Sequence, residues 1–346
     1  MQKINLLGYN QSQLEELMLS FRQKAYKGRQ IYSWLYKVRQ HDFHQMTDLT
    51  KDIRHRLDCE YTFDLMKLEE ELVSKDGTRK FLFRLDDGYP VETVLIPGAD
   101  RTTACISVQS GCALGCRFCA TGTMGLLRDL TTGEMVGQLL GLREKYGSDA
   151  FTNVVLMGMG EPLTNLDNVL GALSIIMDEQ GVCVGHRKVT ISTVGISPGI
   201  RRLADSNCKA RLAVSLHSAI QKKREQLMPV ARSFNLENLM AALRYYTQET
   251  NTRVTIEYIL FKGFNDSMGD VKALTRLLQG LPCKINVLAY NPVPGLDFTR
   301  PSEEEVDEFA RMLYPRLPAV MVRKSRGSDV NAACGQLAAR RQERRD

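Results

Sequence analysis

Residues 105–122 read "CISVQSGCALGCRFCATG". The first residues are a short apolar, strand-like run. The rest sets Cys112, Cys116 and Cys119 at C-x3-C-x2-C spacing among Gly111, Gly115 and Gly122, glycines that let backbone wrap closely around a bound group. Thiolates in such a cluster suit zinc, copper or an iron–sulfur centre. A structural zinc takes a fourth ligand, commonly from a second C-x2-C or a His pair. No second C-x2-C exists, and no His lies within 30 residues after the loop. Cys105 as a fourth ligand keeps zinc open as an alternative. Three thiolates on a four-iron cube leave one iron free to bind substrate, which accounts for the number three.

Working outward, strand candidates from about residue 102 alternate with helical segments. The strands are "TACISV", "NVVLM", "KVTIS", "RLAVSL", "VTIEYIL", "CKINVLAY" and "AVMVR". The helices include "TTGEMVGQLLGLREKY", "LDNVLGALSIIMDE", "LENLMAALRYYTQE" and "SEEEVDEFARML". Such alternation predicts an α/β fold with a parallel sheet, and six or seven units predict a complete or partial (β/α) barrel. Chemistry is then expected at the C-terminal ends of the strands. Residues 62–98 switch to period two, with turns at Asp76-Gly77 and Asp87-Gly88. Residues 1–60 carry helical spacing. Residues 21–40 hold six bases and no acid, with Phe21, Tyr26, Tyr32, Trp34 and Tyr36 interleaved. Exposed, these aromatics would stack on bases while the cations neutralise phosphates; otherwise they are core. The organisation expected is a helical, basic N-terminal accessory domain over 1–60, a β-hairpin extension over 61–100, a barrel over 101–335 and a basic tail over 336–346.

Composition is that of a globular chain, with 43% apolar and 25% charged residues in 346. No apolar run approaches the ~18 residues needed to span a bilayer, and no signal peptide is evident. A soluble, cytoplasmic protein without membrane association is expected. The nine cysteines are then reduced, with Cys59, Cys183, Cys208 and Cys283 expected as small buried hydrophobes. A net charge of +6 permits a polyanionic partner.

Later strand ends supply further candidates. In "LMGMGEPLTN", Gly160 lets backbone approach a ligand and Glu161 accepts from an ammonium group. Ser192, then Ser215, Leu216 and His217, then Asn291 follow successive strands and are candidate ribose and adenine contacts. "KSRGSDVNAACGQL" places Cys334 past the last strand, after Arg323, Lys324 and Arg326, and nearby cations favour a thiolate.

C-x3-C-x2-C with Phe118 before the last cysteine resembles the radical S-adenosylmethionine (SAM) superfamily signature. "VETVLIP", "CISVQSGCALGCRFCATG", "GMGEPLTN", "SLHS", "NPVPG" and "DVNAACGQL" together resemble the RlmN/Cfr family of RNA adenine methyltransferases over residues 91–337. The resemblance implies a partial radical SAM barrel and a [4Fe-4S] cluster on Cys112, Cys116 and Cys119. It implies two SAM molecules per turnover, with Cys334 as an S-methylcysteine intermediate. Cys105 would resolve the protein–RNA link through a transient disulfide with Cys334, and Glu92 would accept a proton. It further implies 23S rRNA and tRNA as substrates, an electron donor such as flavodoxin, and action as a monomer. Pro162 resembles the RlmN branch and so carbon 2 of adenine; the alternatives are Cfr-like carbon 8 chemistry and a non-enzymatic zinc-stabilised RNA-binding protein.

Overall fold

The computed structural model describes residues 3–317 and 319–337. Most of the expected basic tail, residues 338–346, therefore lies outside the described residues.

At the N-terminal side, strands β1 (Ile4–Asn5) and β2 (Tyr61–Thr62) pair in parallel. They bracket helices α1 (Gln11–Ser20), α2 (Tyr26–Ser33) and α3 (Lys51–Glu60). Asn10 starts α1 with a reciprocal cap, its side chain taking the Gln13 N–H while the Gln13 side chain takes its own. The interleaved aromatics divide. Phe21, Tyr32 and Tyr36 are core residues, which removes them as stacking platforms; the Tyr36 hydroxyl accepts from the Gly8 N–H and donates to the Tyr9 carbonyl. Tyr26 stays exposed, and so do Arg22, Lys24, Arg29 and Lys37. Leu14, Tyr36 and Leu57 belong to the same contiguous core as the barrel residues Val154 and Ile256. The helical region is thus docked on the barrel through packed apolar surface.

Three antiparallel strands follow: β3 (Lys67–Val73), β4 (Arg79–Arg84) and β5 (Pro90–Pro97). They are joined by the expected turns at Asp76-Gly77 and Asp87-Gly88, closed by Gly77 N–H to the Ser74 carbonyl and Gly88 N–H to the Leu85 carbonyl. β5 pairs antiparallel with β6 (Thr102–Cys105), with Val94 opposite Cys105, and so extends the barrel sheet. β7 (Gln109–Cys112) and β8 (Gly125–Asp129) make a small antiparallel pair that frames the cysteine loop.

The remaining strands are β9 (Asn153–Leu156), β10 (Val189–Thr193), β11 (Arg211–Ser215), β12 (Val254–Leu260), β13 (Cys283–Ala289) and β14 (Val320–Arg323). The ten-stranded order is β14-β13-β12-β11-β10-β9-β6-β5-β4-β3, with β6 and β9 to β14 parallel. The seven parallel strands are the expected barrel units. Their order is linear, so the barrel is partial. Near-continuous apolar runs such as Val254–Leu260 fit strands covered on both faces. Capped helices between them (Thr132–Tyr146, Met268–Leu277, Glu303–Leu313) begin at Thr131, Ser267 and Ser302, each with an acid at the third helical position.

Candidate active site

The cysteine loop is built from tight backbone. Gly111 has φ +76°, and a Cβ there would meet the Gly125 carbonyl oxygen at 2.0 Å, so only glycine lets β7 approach β8. Cys112 ends β7, the Cys119 N–H donates to the Cys116 carbonyl at 3.1 Å, and Cys119 precedes the one-turn helix Ala120–Thr123. All three cysteines line one cavity together with Glu161, His217 and Cys334. Burial pushes their thiols up, Cys112 to about 11 and Cys116 well above its ordinary value. Thiolates here therefore need a cation. Among the described residues no three His, Cys, Asp or Glu side chains converge to hold a single metal ion. A zinc ion would need its donors about 2.3 Å from one point, whereas an iron–sulfur cube takes one thiolate per corner. The residues present fit the cube.

Beside them, Gly160 has φ +98°, and a Cβ would strike Gln109 at 2.5 Å. That close approach delivers the Glu161 N–H to Gln109 Oε1 at 2.9 Å. The Glu161 carboxylate accepts from Val194 N at 2.9 Å and Leu163 N at 3.1 Å. Burial pushes this carboxyl up to about 7, the N–H of Val194, the Thr193 hydroxyl and the N–H of Leu163 opposing. It is a fixed acceptor aimed at the cavity, suited to a cationic ligand group. Ser192 and Ser215 line the same cavity from the ends of β10 and β11. His217 has φ +54° and its Nδ1 accepts from Ile259 N at 3.1 Å. Burial, with Arg224 nearby, holds its pKa down at about 3, so the ring is neutral.

Four candidates do not line the cavity: Leu216, Asn291, Cys105 and Glu92. Leu216 is fully buried in the core, its N–H taken by the Glu257 carbonyl. Asn291 does not line the cavity. Its Nδ2 donates to the Cys334 carbonyl at 3.4 Å while its Oδ1 accepts from Arg300 at 2.7 Å, so it holds the loop that carries Cys334.

Cys334 is accessible, and it lines the cavity with the three loop cysteines, so its accessible face is an internal one. Burial raises its thiol pKa, Arg323 opposing. Cys105 packs with Val94, Met159, Ala332 and Leu337, behind the Cys334 loop. Burial, then Cys334, push its thiol up to about 12. Glu92 lies on the same face of β5 as Val94, and its carboxylate meets Lys80 Nζ at 3.1 Å in a buried pair. Of the remaining cysteines only Cys283 is buried. Cys59 and Cys183 are exposed and Cys208 is intermediate, because they fall at a helix end and in turns that no apolar spacing marks.

Several site residues escaped the sequence reading. Lys80 also donates to the Asn331 carbonyl at 3.2 Å, tying Glu92 to the Cys334 loop. Glu257 on β12 lines the cavity, bonded to Asn286 at 2.7 Å. Arg224 is wholly buried near Cys116. None lies in a glycine or cysteine motif. The one sequence signal is a charged residue inside an apolar strand, as in "VTIEYIL".

Residues 4–62 match the ribosomal RNA large subunit methyltransferase N-terminal domain, and residues 106–274 match the radical SAM superfamily. The dual-specificity RNA methyltransferase RlmN of Desulfotalea psychrophila is 44% identical, over 97% of this chain and 95% of its own. That of Geobacter sulfurreducens is 43% identical over 96% and 92%. This chain belongs to the RlmN family of RNA methyltransferases. A crystal structure of a radical SAM methyltransferase from Sphaerobacter thermophilus superposes with a TM-score of 0.90 at 42% identity, covering 97% of this chain and 99% of that one. As an RlmN-family member the chain is a radical SAM RNA methyltransferase that uses a [4Fe-4S] cluster and SAM. No helix among the described residues is long and apolar enough to cross a membrane.

Proposed function

We propose that this enzyme methylates carbon 2 of an adenosine in 23S rRNA and in tRNA, through a methyl group carried on Cys334. The observation that carries this reading is the common cavity of Cys112, Cys116, Cys119, Glu161 and Cys334. Cys112, Cys116 and Cys119 would hold the cluster, which when bound would supply the electron that cleaves SAM to methionine and a 5′-deoxyadenosyl radical, and would take back the one electron that the protein–RNA adduct must lose. Glu161 binds the SAM ammonium, and Gly160 keeps backbone close to the ligand. Ser192 and Ser215 hydrogen-bond the ribose, with neutral His217 on the same wall.

Carbon 2 of adenine is electrophilic, so it cannot attack a SAM methyl directly. Cys334 attacks instead: its S–CH3 bond forms as the sulfonium C–S bond breaks, and the thiol proton leaves. After hydrogen abstraction from that methyl group, the carbon bound to Cys334 Sγ adds to the ring, linking protein and RNA. Glu92, held by Lys80, takes the ring proton. Cys105 then attacks Cys334 Sγ with loss of its thiol proton: the S–S bond forms as the CH2–S bond breaks, and the departing carbon takes the proton held by Glu92 to become the methyl group. An adenosine in a single-stranded or loop segment can be splayed into such a cavity. Exposed Arg22, Lys24, Arg29 and Lys37 supply phosphate contacts, and a flavodoxin-like protein supplies electrons to a monomeric enzyme in the cytoplasm. The test is an anaerobic reaction of the reconstituted protein with SAM, a reductant and either RNA, followed by nucleoside mass spectrometry. 2-Methyladenosine is expected; 8-methyladenosine would overturn the ring position, and unmodified RNA the activity.

A further inference from the structure

Arg224 lies on the helix Gln221–Leu227 with none of its surface exposed. Its hydrogen bonds go to carbonyls: Nη2 to Val194 and Nη1 to Phe234 at 3.3 Å. Nε is buried with no hydrogen-bond partner, and among the described residues no carboxylate pairs with this guanidinium. A buried guanidinium that meets only neutral dipoles is strongly unfavourable unless an anion lies close by. A negative charge at Cys116 would oppose the effect of burial on Arg224. The two are mechanically joined. Cys116 shares one apolar cluster with Leu227 and Met228, the Arg117 N–H donates to the Leu227 carbonyl at 2.9 Å, and Met228 N–H donates to the Arg224 carbonyl at 2.8 Å. His217, neutral, adds no charge on this side. Val194 joins the same unit to Glu161 through its N–H.

We infer that Arg224 is a positioning residue for the cluster: a fixed internal cation that balances the Cys116 thiolate and sets the cluster's reduction potential. A reduced cube carries one more negative charge than an oxidised one, so a buried cation beside a ligand favours the reduced form. The inference rests on Cys116 being a cluster ligand. That reading fails separately, if Cys116→Ala still assembles four irons per chain.

The test is a redox titration of the anaerobically reconstituted holoenzyme, read by electron paramagnetic resonance, with iron content and thermal midpoint measured alongside. Arg224→Met should shift the midpoint potential negative, and Arg224→Lys should restore most of the shift. Folded Met and Gln variants that cannot hold iron, beside a Lys variant that can, would support the same requirement for charge. An unchanged potential in a fully loaded Arg224→Met protein would overturn the inference. So would loss of the folded state in all three variants including Lys, which would make the side chain a steric plug.

Discussion

Ala120 donates its backbone N–H to the carbonyl of Gly335 at 2.6 Å. The residue after Cys119 and the residue after Cys334 are thus one hydrogen bond apart, although 215 positions separate them in the chain. Further bonds secure the same junction: the Thr121 hydroxyl to the Leu337 carbonyl at 3.3 Å, and Gln336 Nε2 to the Pro292 carbonyl at 2.7 Å. The cysteine loop and the Cys334 loop are fixed to one another, not merely near.

Cys105 sits behind that junction, packed on Ala332 and Leu337. If it resolves the protein–RNA link, Cys105→Ala should complete every step up to that link and stop. The expected outcome is a covalent protein–RNA species on a denaturing gel, cross-linked at Cys334. A freely turning-over Cys105→Ala enzyme would remove this residue from the reaction.

The turn between β3 and β4 clamps the Cys334 loop from the other side. Asp76 accepts from Thr78 N and Gly327 N, both at 2.9 Å, while Asp329 accepts from the Ser74 hydroxyl at 2.6 Å and Lys75 N at 3.1 Å. Burial raises the Asp76 carboxyl, but the N–H groups of Thr78 and Gly327 outweigh it and hold it at about 2. A carboxyl depressed by folding adds stability above its unfolded pKa, and that stability is lost as pH falls through the folded value. Asp76→Asn should therefore lower the thermal midpoint at pH 7. The difference from wild type should shrink between about pH 4 and pH 2, measured by circular dichroism.

Lys80 and Glu92 form an ion pair with side chains 5% and 8% exposed. Removing the ammonium leaves the carboxylate at that depth, so Lys80→Met should cost about 3–5 kcal/mol in denaturant unfolding. Arg202→Ala, which breaks an exposed pair with Asp167, should cost at most about 1 kcal/mol.

These bonds and packings mark the limit of what the sequence displays. The barrel was legible because apolar runs such as "VTIEYIL" alternate with capped helices, and the cysteine loop because its spacing is a chemical signature. The continuity of β5 with β6 was not, since period two reports a half-buried strand but not its partner. For Phe21, Tyr32 and Tyr36 base stacking and core were both open because their neighbours are cationic; Phe21 caps the end of α1, Tyr32 and Tyr36 lie four residues apart on α2 and its helical continuation, and all three turn inward. Lys80, Arg224 and Glu257 were invisible because a buried charge takes its meaning from partners far along the chain.

If the exposed bases Arg22, Lys24, Arg29 and Lys37 bind phosphates, each replacement by Gln should flatten the plot of log RNA affinity against log salt. The expected change is a slope reduction of roughly 0.7–0.9 for each phosphate no longer neutralised, read by filter binding. A set of Gln variants with the wild-type slope would place RNA on another face.

The most direct measurement compares wild type with Cys334→Ala in one anaerobic reaction with SAM, reductant and 23S rRNA, read as methyladenosine by mass spectrometry. Both proteins should load four irons per chain and bind SAM, and only the wild type should yield 2-methyladenosine. Methylation by Cys334→Ala at the wild-type rate would contradict the account, because the methyl group would then reach RNA without the thiol that faces the cavity.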